Sequence, residues 1–397
     1  MKFAHISDCH IGGWKEEKMR ALNLQCFQRA VELVIERHAD FLLISGDLFN
    51  SAVPQIEYIK EATVALKTLR DVGIRVYVIA GSHDYSPSGK MMLDVLEKAG
   101  LVTNVMKFRG DGTLAFTIDQ SGAKITGMIG KKGGLEINEY ETLNTRPLEE
   151  EDGFKIFMFH TAINEFKPEG LEEMPGVPVA QLPANFHYYA GGHVHYVFQK
   201  PFGNGVLTYP GALFPNNFKE MEEWQNGGIY FVDENVAWEY VPIRLKDVVS
   251  FTIDVTGLTP ELAMQKIINE VKRKDIIDKI VTLRVFGELH GNVSDLNFLA
   301  VADHLKTSYF VLRNTAKLQS KEFEGMTMKQ GTVEEIEHQL LTEGAKGETA
   351  FPGEKEATMV RMLMHVLDKE REDGERVADF EHRVVSDTLQ VLEIEAS

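Results

Sequence analysis

Residues of metal-ligating type recur through the first half of this chain in small, tight groups. Asp8 and His10 flank Cys9. Asp47 sits in the run Gly46-Asp47-Leu48-Phe49-Asn50. Gly81-Ser82-His83-Asp84 follows, then His160, and then Gly192-His193-Val194-His195. Taken singly, each group has an ordinary explanation. Gly-Asp after an apolar run is usually a turn with a helix cap, Asp-x-His is a common loop pairing, and an isolated His160 is more often structural. Taken jointly, five groups of the same donor chemistry point to a metal site. His-x-His is the most telling pair, because imidazole is the commonest metal ligand. Two carboxylates and four imidazoles exceed the needs of one tetrahedral zinc. Mixed oxygen and nitrogen donors suit two ions of the manganese, iron or zinc kind. Such a pair, about 3.5–4 Å apart, clamps both the attacking and the leaving oxygen of an in-line displacement at phosphorus. One carboxylate must then bridge, and Asp47 is the natural candidate. Cys9 points away if Asp8 and His10 point in, and is read as a small packed residue. His83 is read as a general acid that protonates the leaving oxygen, with Asp84 beside it to orient the imidazole. The alternative for this pair is a helix-cap region that supports the loop.

The elements around these residues alternate. A strand at 3–7, a helix at 16–37, a buried strand at 41–44, a helix at 56–69 and another buried strand at 76–79 make a βαβαβ run, hence an α/β core. Further strands are predicted at 154–159, 188–190, 228–232 and 236–241. Each chemical group follows one of the strands, and in open α/β sheets ligands bind in the crevice at the carboxyl ends of strands. The character changes near Asp247. A strand at 251–255, a helix at 260–273, a strand at 280–286 and a helix at 295–305 make a small α+β unit. From Gln330 the chain turns acidic and helical, with Gly344, Gly347, Pro352 and Gly353 punctuating a linker. Amphipathic helices at 356–370 and 379–394 suit a partner, or fold back onto their own protein. The expected division is 1–245, 246–328 and 329–397.

The composition is that of a folded protein, 44% apolar and 26% charged. No apolar run is long enough for a membrane helix, and the N-terminus lacks the regions of a signal peptide. Two cysteines make no disulfide framework, so a reducing cytoplasm is expected. The net charge of −18 is unlike that of a generic nucleic-acid binder. The charge is uneven, however. Residues 321–397 hold nine Lys/Arg against nineteen Asp/Glu, whereas residues 261–320 hold nine against seven. Lys272, Arg273, Lys274, Lys279 and Arg284 in that middle stretch face either a polyanion or plain solvent.

Asp8-x-His10, Gly46-Asp47, Gly81-x-His83-Asp84, His160 and Gly192-His193-x-His195 resemble the five motifs of calcineurin-like metallophosphoesterases. The finer likeness is to archaeal DNA double-strand-break repair nucleases of the SbcD and meiotic-recombination-eleven type, whose second motif is similar to Gly46-Asp47-Leu48-Phe49-Asn50. The likeness is specific over about residues 1–240 and looser beyond. It implies a metallophosphoesterase sandwich, central β-sheets flanked by helices, followed by a small α+β capping domain and a C-terminal helical tail. It implies one metal on Asp8, His10, Asp47 and His195, and a second on Asp47, Ser82, His160 and His193, with His83 as general acid. It further implies two divalent ions, manganese by preference, and 3′-to-5′ exonuclease and endonuclease activity on linear duplex ends and hairpins. The implied assembly is a homodimer bound through its C-terminal helices to an SMC-like ABC ATPase, with no membrane. Two departures stand out. Ser82 occupies a position where the family has a metal-ligating Asn, and Asn50 one where some members have a second functional His. Two other function classes are carried beside the nuclease. A small-molecule phosphodiesterase or pyrophosphatase of the same fold accords with the acidic charge, and a non-catalytic scaffold with a weakened second metal site accords with Ser82.

Overall fold

The computed structural model describes residues 1–168, 171–321, 353–369 and 377–392. In chain order the elements are β1 (Lys2–Ile6), α1 (Glu17–Glu36), β2 (Phe41–Ser45), α2 (Ile56–Asp71), β3 (Arg75–Ile79), α3 (Met92–Lys98), β4 (Thr103–Asn104), β5 (Thr117–Ile118), β6 (Lys124–Met128), α4 (Ile137–Thr142), α5 (Arg146–Glu149) and β7 (Lys155–His160). A short pair, β8 (Ala162–Ile163) and β9 (Gly176–Val177), precedes β10 (Tyr188–Gly192), β11 (Phe198–Phe202), β12 (Gly205–Tyr209), α6 (Phe218–Glu223), β13 (Gly228–Asp233) and β14 (Trp238–Pro242). The run β15 (Val248–Asp254), α7 (Pro260–Val271), β16 (Ile280–Leu289), α8 (Phe298–His304), β17 (Phe310–Asn314) and β18 (Leu318–Ser320) completes the first of two compact units, Met1–Ser320.

Two six-stranded sheets make the sandwich. The first has the order β14-β13-β1-β2-β3-β4 and the second β11-β12-β10-β7-β6-β5. The central strands of both are parallel, with antiparallel strands toward the edges. The side-chain period of two sorts each strand between layers. On β7, Ile156 and Met158 join the core shared with the first sheet, while Phe157 and Phe159 join a separate apolar cluster on the far side. Being buried on both faces, β2 reads as the unbroken apolar run Phe41-Leu42-Leu43-Ile44. Helix α1 covers the first sheet with Leu22, Cys26, Phe27, Ala30 and Val34, all buried at helical spacing. Cys9 is buried in the core, as expected of a small packed residue. The fold class is therefore the expected α/β sandwich flanked by helices.

The third sheet, β15-β16-β17 with β18 also on β16, is all parallel and has a core of its own around Phe251, Ile267, Val281, Leu283 and Val301. The helix expected at 295–305 is a 3-10 turn at Val293–Asp295 followed by α8, which starts only at the Asn297 cap. Among the described residues of the second unit, Lys321–Ser397, are the helices Gly353–Leu367 and Val377–Val391, joined by a Lys369–Asp387 ion pair of 2.9 Å. Most of the linker expected around Gly344, Gly347 and Pro352 lies outside the described residues.

Candidate metal centre

Five strands end at one place. The loops after β1, β2 and β3 supply Asp8 and His10, Asp47, and Ser82 and His83. In the second sheet, β7 ends in His160, and the loop after β10 supplies His193 and His195. Backbone bonds join the first two loops, from Asp8 N to Gly46 O, His10 N to Asp47 O and Ile11 N to Leu48 O. Across the sheets, the His193 N–H donates to both carboxylate oxygens of Asp8, at 3.1 and 3.0 Å. The turns are tight enough to force left-handed backbone at Asp8, His10, Asp47 and His193, with φ of 51°, 43°, 52° and 88°. Such strain in non-glycine residues clusters where function requires it. Gly46, at φ 89°, has no room for a side chain, since a Cβ there would lie 2.2 Å from His160 Nδ1.

The donor atoms converge. Asp47 Oδ2 stands 3.3 Å from His160 Nε2 and 3.7 Å from His10 Nε2. Asp8 Oδ1 stands 3.6 Å from His195 Nε2 and 3.9 Å from His10 Nε2. Three groups have ligand atoms close enough to share an ion: Asp8, His10 and His195; His10, Asp47 and His83; and Asp8, Asp47 and His160. These groups overlap rather than splitting into two separate sets. His193 lies beside them, its ring 5.2 Å from that of His160. Ser82 is nearly buried, with its Oγ 3.5 Å from Asp47 Oδ2.

Protonation and hydrogen bonding are those of a cation site. His160 Nδ1 faces the Ser45 carbonyl at 2.8 Å and donates to it, which leaves a buried Nε2 without a hydrogen-bond partner. His10 Nδ1 is likewise buried and unpartnered. His10 Nε2 and His195 Nε2 meet at 3.1 Å; two lone pairs at that distance repel unless a proton or a metal ion lies between them. Burial pushes Asp8 above the usual carboxylate range, and the Asp47 charge adds to it. Burial also pushes His10 and His193 down to about 3. His160 goes the other way. Burial lowers it, but the carboxylates of Asp47 and Asp8 outweigh that and raise it to about 10. Two buried carboxylates beside imidazoles of which burial keeps His10 and His193 neutral make a donor set that fits a divalent cation.

His83 Nδ1 bonds the Asn50 carbonyl at 3.0 Å, and its ring stands 4.8 Å from that of His10. The expectation that Asp84 orients this imidazole is corrected here. The buried Asp84 carboxylate accepts the backbone N–H groups of Leu48, Phe49 and Gly81 at 3.0–3.2 Å. A carboxylate committed to three amide donors clamps the β2 loop to the β3 loop; the Asn50 carbonyl orients the ring.

Sequence reasoning missed Glu220. Its carboxylate accepts from His195 Nδ1 at 2.9 Å, the carboxylate–histidine arrangement that orients metal-binding imidazoles. Burial raises the Glu220 carboxyl, but His195 outweighs it and holds it below the usual range. The signal was legible. Asn217 caps α6 by accepting the Glu220 N–H, and Glu220 sits three residues on, as in a capping box. A groove opens beside the centre, lined by His193 and His195 and by Leu171, Met174, Tyr196 and Trp224.

Residues 1–197 match the calcineurin-like phosphoesterase family model. The chain is 28% identical over 327 residues to the DNA double-strand break repair protein Mre11 of Methanococcus maripaludis, covering 75% of this chain and 82% of that one. It is 26% identical over 300 residues to the Mre11 of Methanocaldococcus jannaschii, covering 69% and 77%. It is 27% identical over 234 residues to that of Archaeoglobus fulgidus, covering 55% and 52%. With its strand-end cluster of carboxylates and imidazoles and its two-sheet frame, the chain resembles calcineurin-like phosphoesterases over residues 1–197, and archaeal Mre11 over a longer span.

Proposed function

We propose that the protein is a manganese-dependent DNA nuclease, with 3′-to-5′ exonuclease and endonuclease activity, that acts in double-strand-break repair. One observation carries the reading beyond a generic phosphoesterase. The 327-residue likeness to an archaeal double-strand break repair protein is far longer than the 197-residue phosphoesterase domain, so it also takes in chain beyond that domain. Asp8, His10, Asp47 and His195 would hold one ion, and Asp47, Ser82, His160 and His193 the other, with Asp47 Oδ2 between imidazoles from both sets. When bound, two such ions polarise the phosphodiester and stabilise charge on its attacking and leaving oxygens. The chain's own residues do the rest. The Asn50 carbonyl, by accepting from Nδ1 of His83, leaves Nε2 to carry the proton of the imidazolium. From there His83 protonates the leaving alkoxide. Glu220 holds the His195 ring, and Asp84 holds the loops of Asp47 and His83 at fixed spacing.

The likeness also supports a homodimer and an SMC-like ABC ATPase partner met by the C-terminal helices, with residues 246–328 as a capping domain over DNA and 329–397 as the ATPase-binding region. Exposed Val53, Ile56 and Val64 on and before α2 are available to a dimer face. No helix among the described residues is long and apolar enough to cross a membrane, and a cytoplasmic location follows from the proposed substrate.

The groove at the centre, with Tyr196 and Trp224 along it, favours a second reading as a small-molecule phosphodiesterase, since it is the size of a nucleotide-like ligand. One assay separates the two. Linear duplex DNA and a small aryl phosphodiester are incubated with the protein and Mn²⁺, beside His83→Ala and Asp47→Ala controls. The nuclease reading expects DNA loss that both substitutions reduce at least about a hundredfold. Turnover of the diester with DNA intact would transfer the assignment to the small-molecule class. Silence on both substrates would leave the scaffold reading.

A further inference from the structure

Helix α6 faces two ways. Phe218–Glu223 is only six residues long, too short to hold its shape unaided. Its Glu220 turns to the metal centre and accepts from His195. Its Glu222, two residues on, turns to the third sheet. There Arg284 of β16 grips the Glu222 carboxylate with a fork, Nε at 3.1 and 3.0 Å and an Nη at 2.6 Å. Thr252 of β15, the register partner of Arg284, donates to the same carboxylate at 3.4 Å. The guanidinium also lies 4.9 Å over the ring of Phe218, the first residue of the helix. Both partners are mostly buried, the side chains 23% and 15% exposed. Arg284 thus holds α6 at its first turn and near its last. Bidentate, stacked and half-desolvated pairs of this kind fix geometry in a way that single surface ion pairs do not.

We infer that Arg284 is a positioning residue of the metal centre: by seating α6 against the third sheet it fixes Glu220, and through Glu220 the His195 imidazole. The phosphoesterase domain therefore supplies every ligand but not the whole support of His195. The third sheet supplies a remote support, and a shift of β16 against the sandwich is felt at His195. The inference rests on the proposal that His195 is a metal ligand.

Mn²⁺ titration calorimetry on the full chain tests it. Metal-free melting temperatures are measured alongside, for wild type, Arg284→Gln, Arg284→Lys and the surface control Arg37→Gln, which breaks a comparable pair with Glu239. Arg284→Gln is expected to weaken Mn²⁺ binding about three- to tenfold, at or below the range for direct outer-shell partners. Arg284→Lys, which keeps the charge but not the fork, should recover part of the loss. Arg37→Gln should leave binding unchanged. If Arg284→Gln does not fold, Glu222→Gln, a near-isosteric change, carries the same expectation. Wild-type Mn²⁺ affinity in Arg284→Gln or Glu222→Gln, with only a lowered melting temperature, would make the pair a plain structural tie and overturn the inference. Absence of Mn²⁺ binding in the wild type would overturn the metal-site reading first and this inference with it; that failure is seen before any substitution is made.

Discussion

Ser82 is the residue at which this centre departs from the ligand types around it. It stands nearly buried, with its hydroxyl 3.5 Å from Asp47 Oδ2, in a cluster otherwise made of carboxylates and imidazoles. A hydroxyl is shorter than a carboxamide and a weaker donor to a divalent cation. Ser82→Asn should therefore lower the Mn²⁺ concentration needed for half-maximal activity severalfold. An unchanged requirement would show that Ser82, or a water it holds, already serves the ion. At this scale the sequence was readily legible. Asp8, His10, Asp47, His160, His193 and His195 stand out by type and by following apolar runs, and the structure brings all of them to one edge. What the sequence did not disclose were roles assigned by hydrogen bonds rather than by residue type. Asp84 looks like a partner of His83 because it is adjacent, yet its carboxylate faces three backbone amides. Glu220, 25 residues from His195 in sequence, is the carboxylate that actually meets an imidazole there.

Among the elements, β2 and β10 come closest together beneath the centre. A Cβ on Gly192, the last residue of β10, would lie 2.0 Å from the Ser45 carbonyl, at the end of β2. That carbonyl also accepts from His160 Nδ1, so the two sheets and one imidazole share a single contact. Gly192→Ala must push backbone against backbone, a cost of about 3 kcal/mol or more. It should lower the melting temperature and shift the His160 resonances together; a variant of wild-type stability would show that the sheets can part here without loss. The strands of the first sheet were legible because β1, β2 and β3 are apolar runs set between helices of clear 3.6 periodicity. Parts of the second sheet were not. Lys124–Met128 carries Gly127 next to its end, and Phe198–Phe202 is exposed on an edge with Pro201 in it, so neither shows the alternation that announces a strand.

Over the whole molecule, the two sheets are also tied at the rim away from these loops. Arg75, on β3, forks onto Asp119 beside β5, at 2.9 and 3.0 Å, and Tyr77 donates to the same carboxylate at 2.7 Å. Burial raises Asp119, but the Arg75 and Ser121 hydrogen bonds outweigh it and hold the group below its ordinary 3.8. A carboxyl depressed in the folded state stabilises the protein fully above its unfolded value, and that contribution is lost as pH falls through the lower, folded value. The tie is therefore intact at neutral pH and fails only in acid, below about pH 4. Asp119→Asn should cost about 2 kcal/mol at pH 7 and should flatten the acid limb of the stability profile. An unchanged acid limb in urea melts between pH 2 and 6 would assign that limb to other carboxyls.

The strained, charged turn at Asp8 has a thermal consequence. A fully buried carboxylate in left-handed backbone, raised above its usual range by burial and by Asp47, is a liability to the folded chain until a cation compensates it. Asparagine tolerates the same backbone, and its amide oxygen can still accept the His193 N–H. In a chelator, then, Asp8→Asn should melt higher than wild type. In Mn²⁺ the order should reverse, because ligand binding adds stability that grows with the logarithm of the free ion concentration over its dissociation constant, and the variant forfeits most of it. A variant that melts lower than wild type in both conditions would show that the carboxylate supports the fold directly. Otherwise the melting curve itself becomes a gauge of metal loading, readable without any substrate.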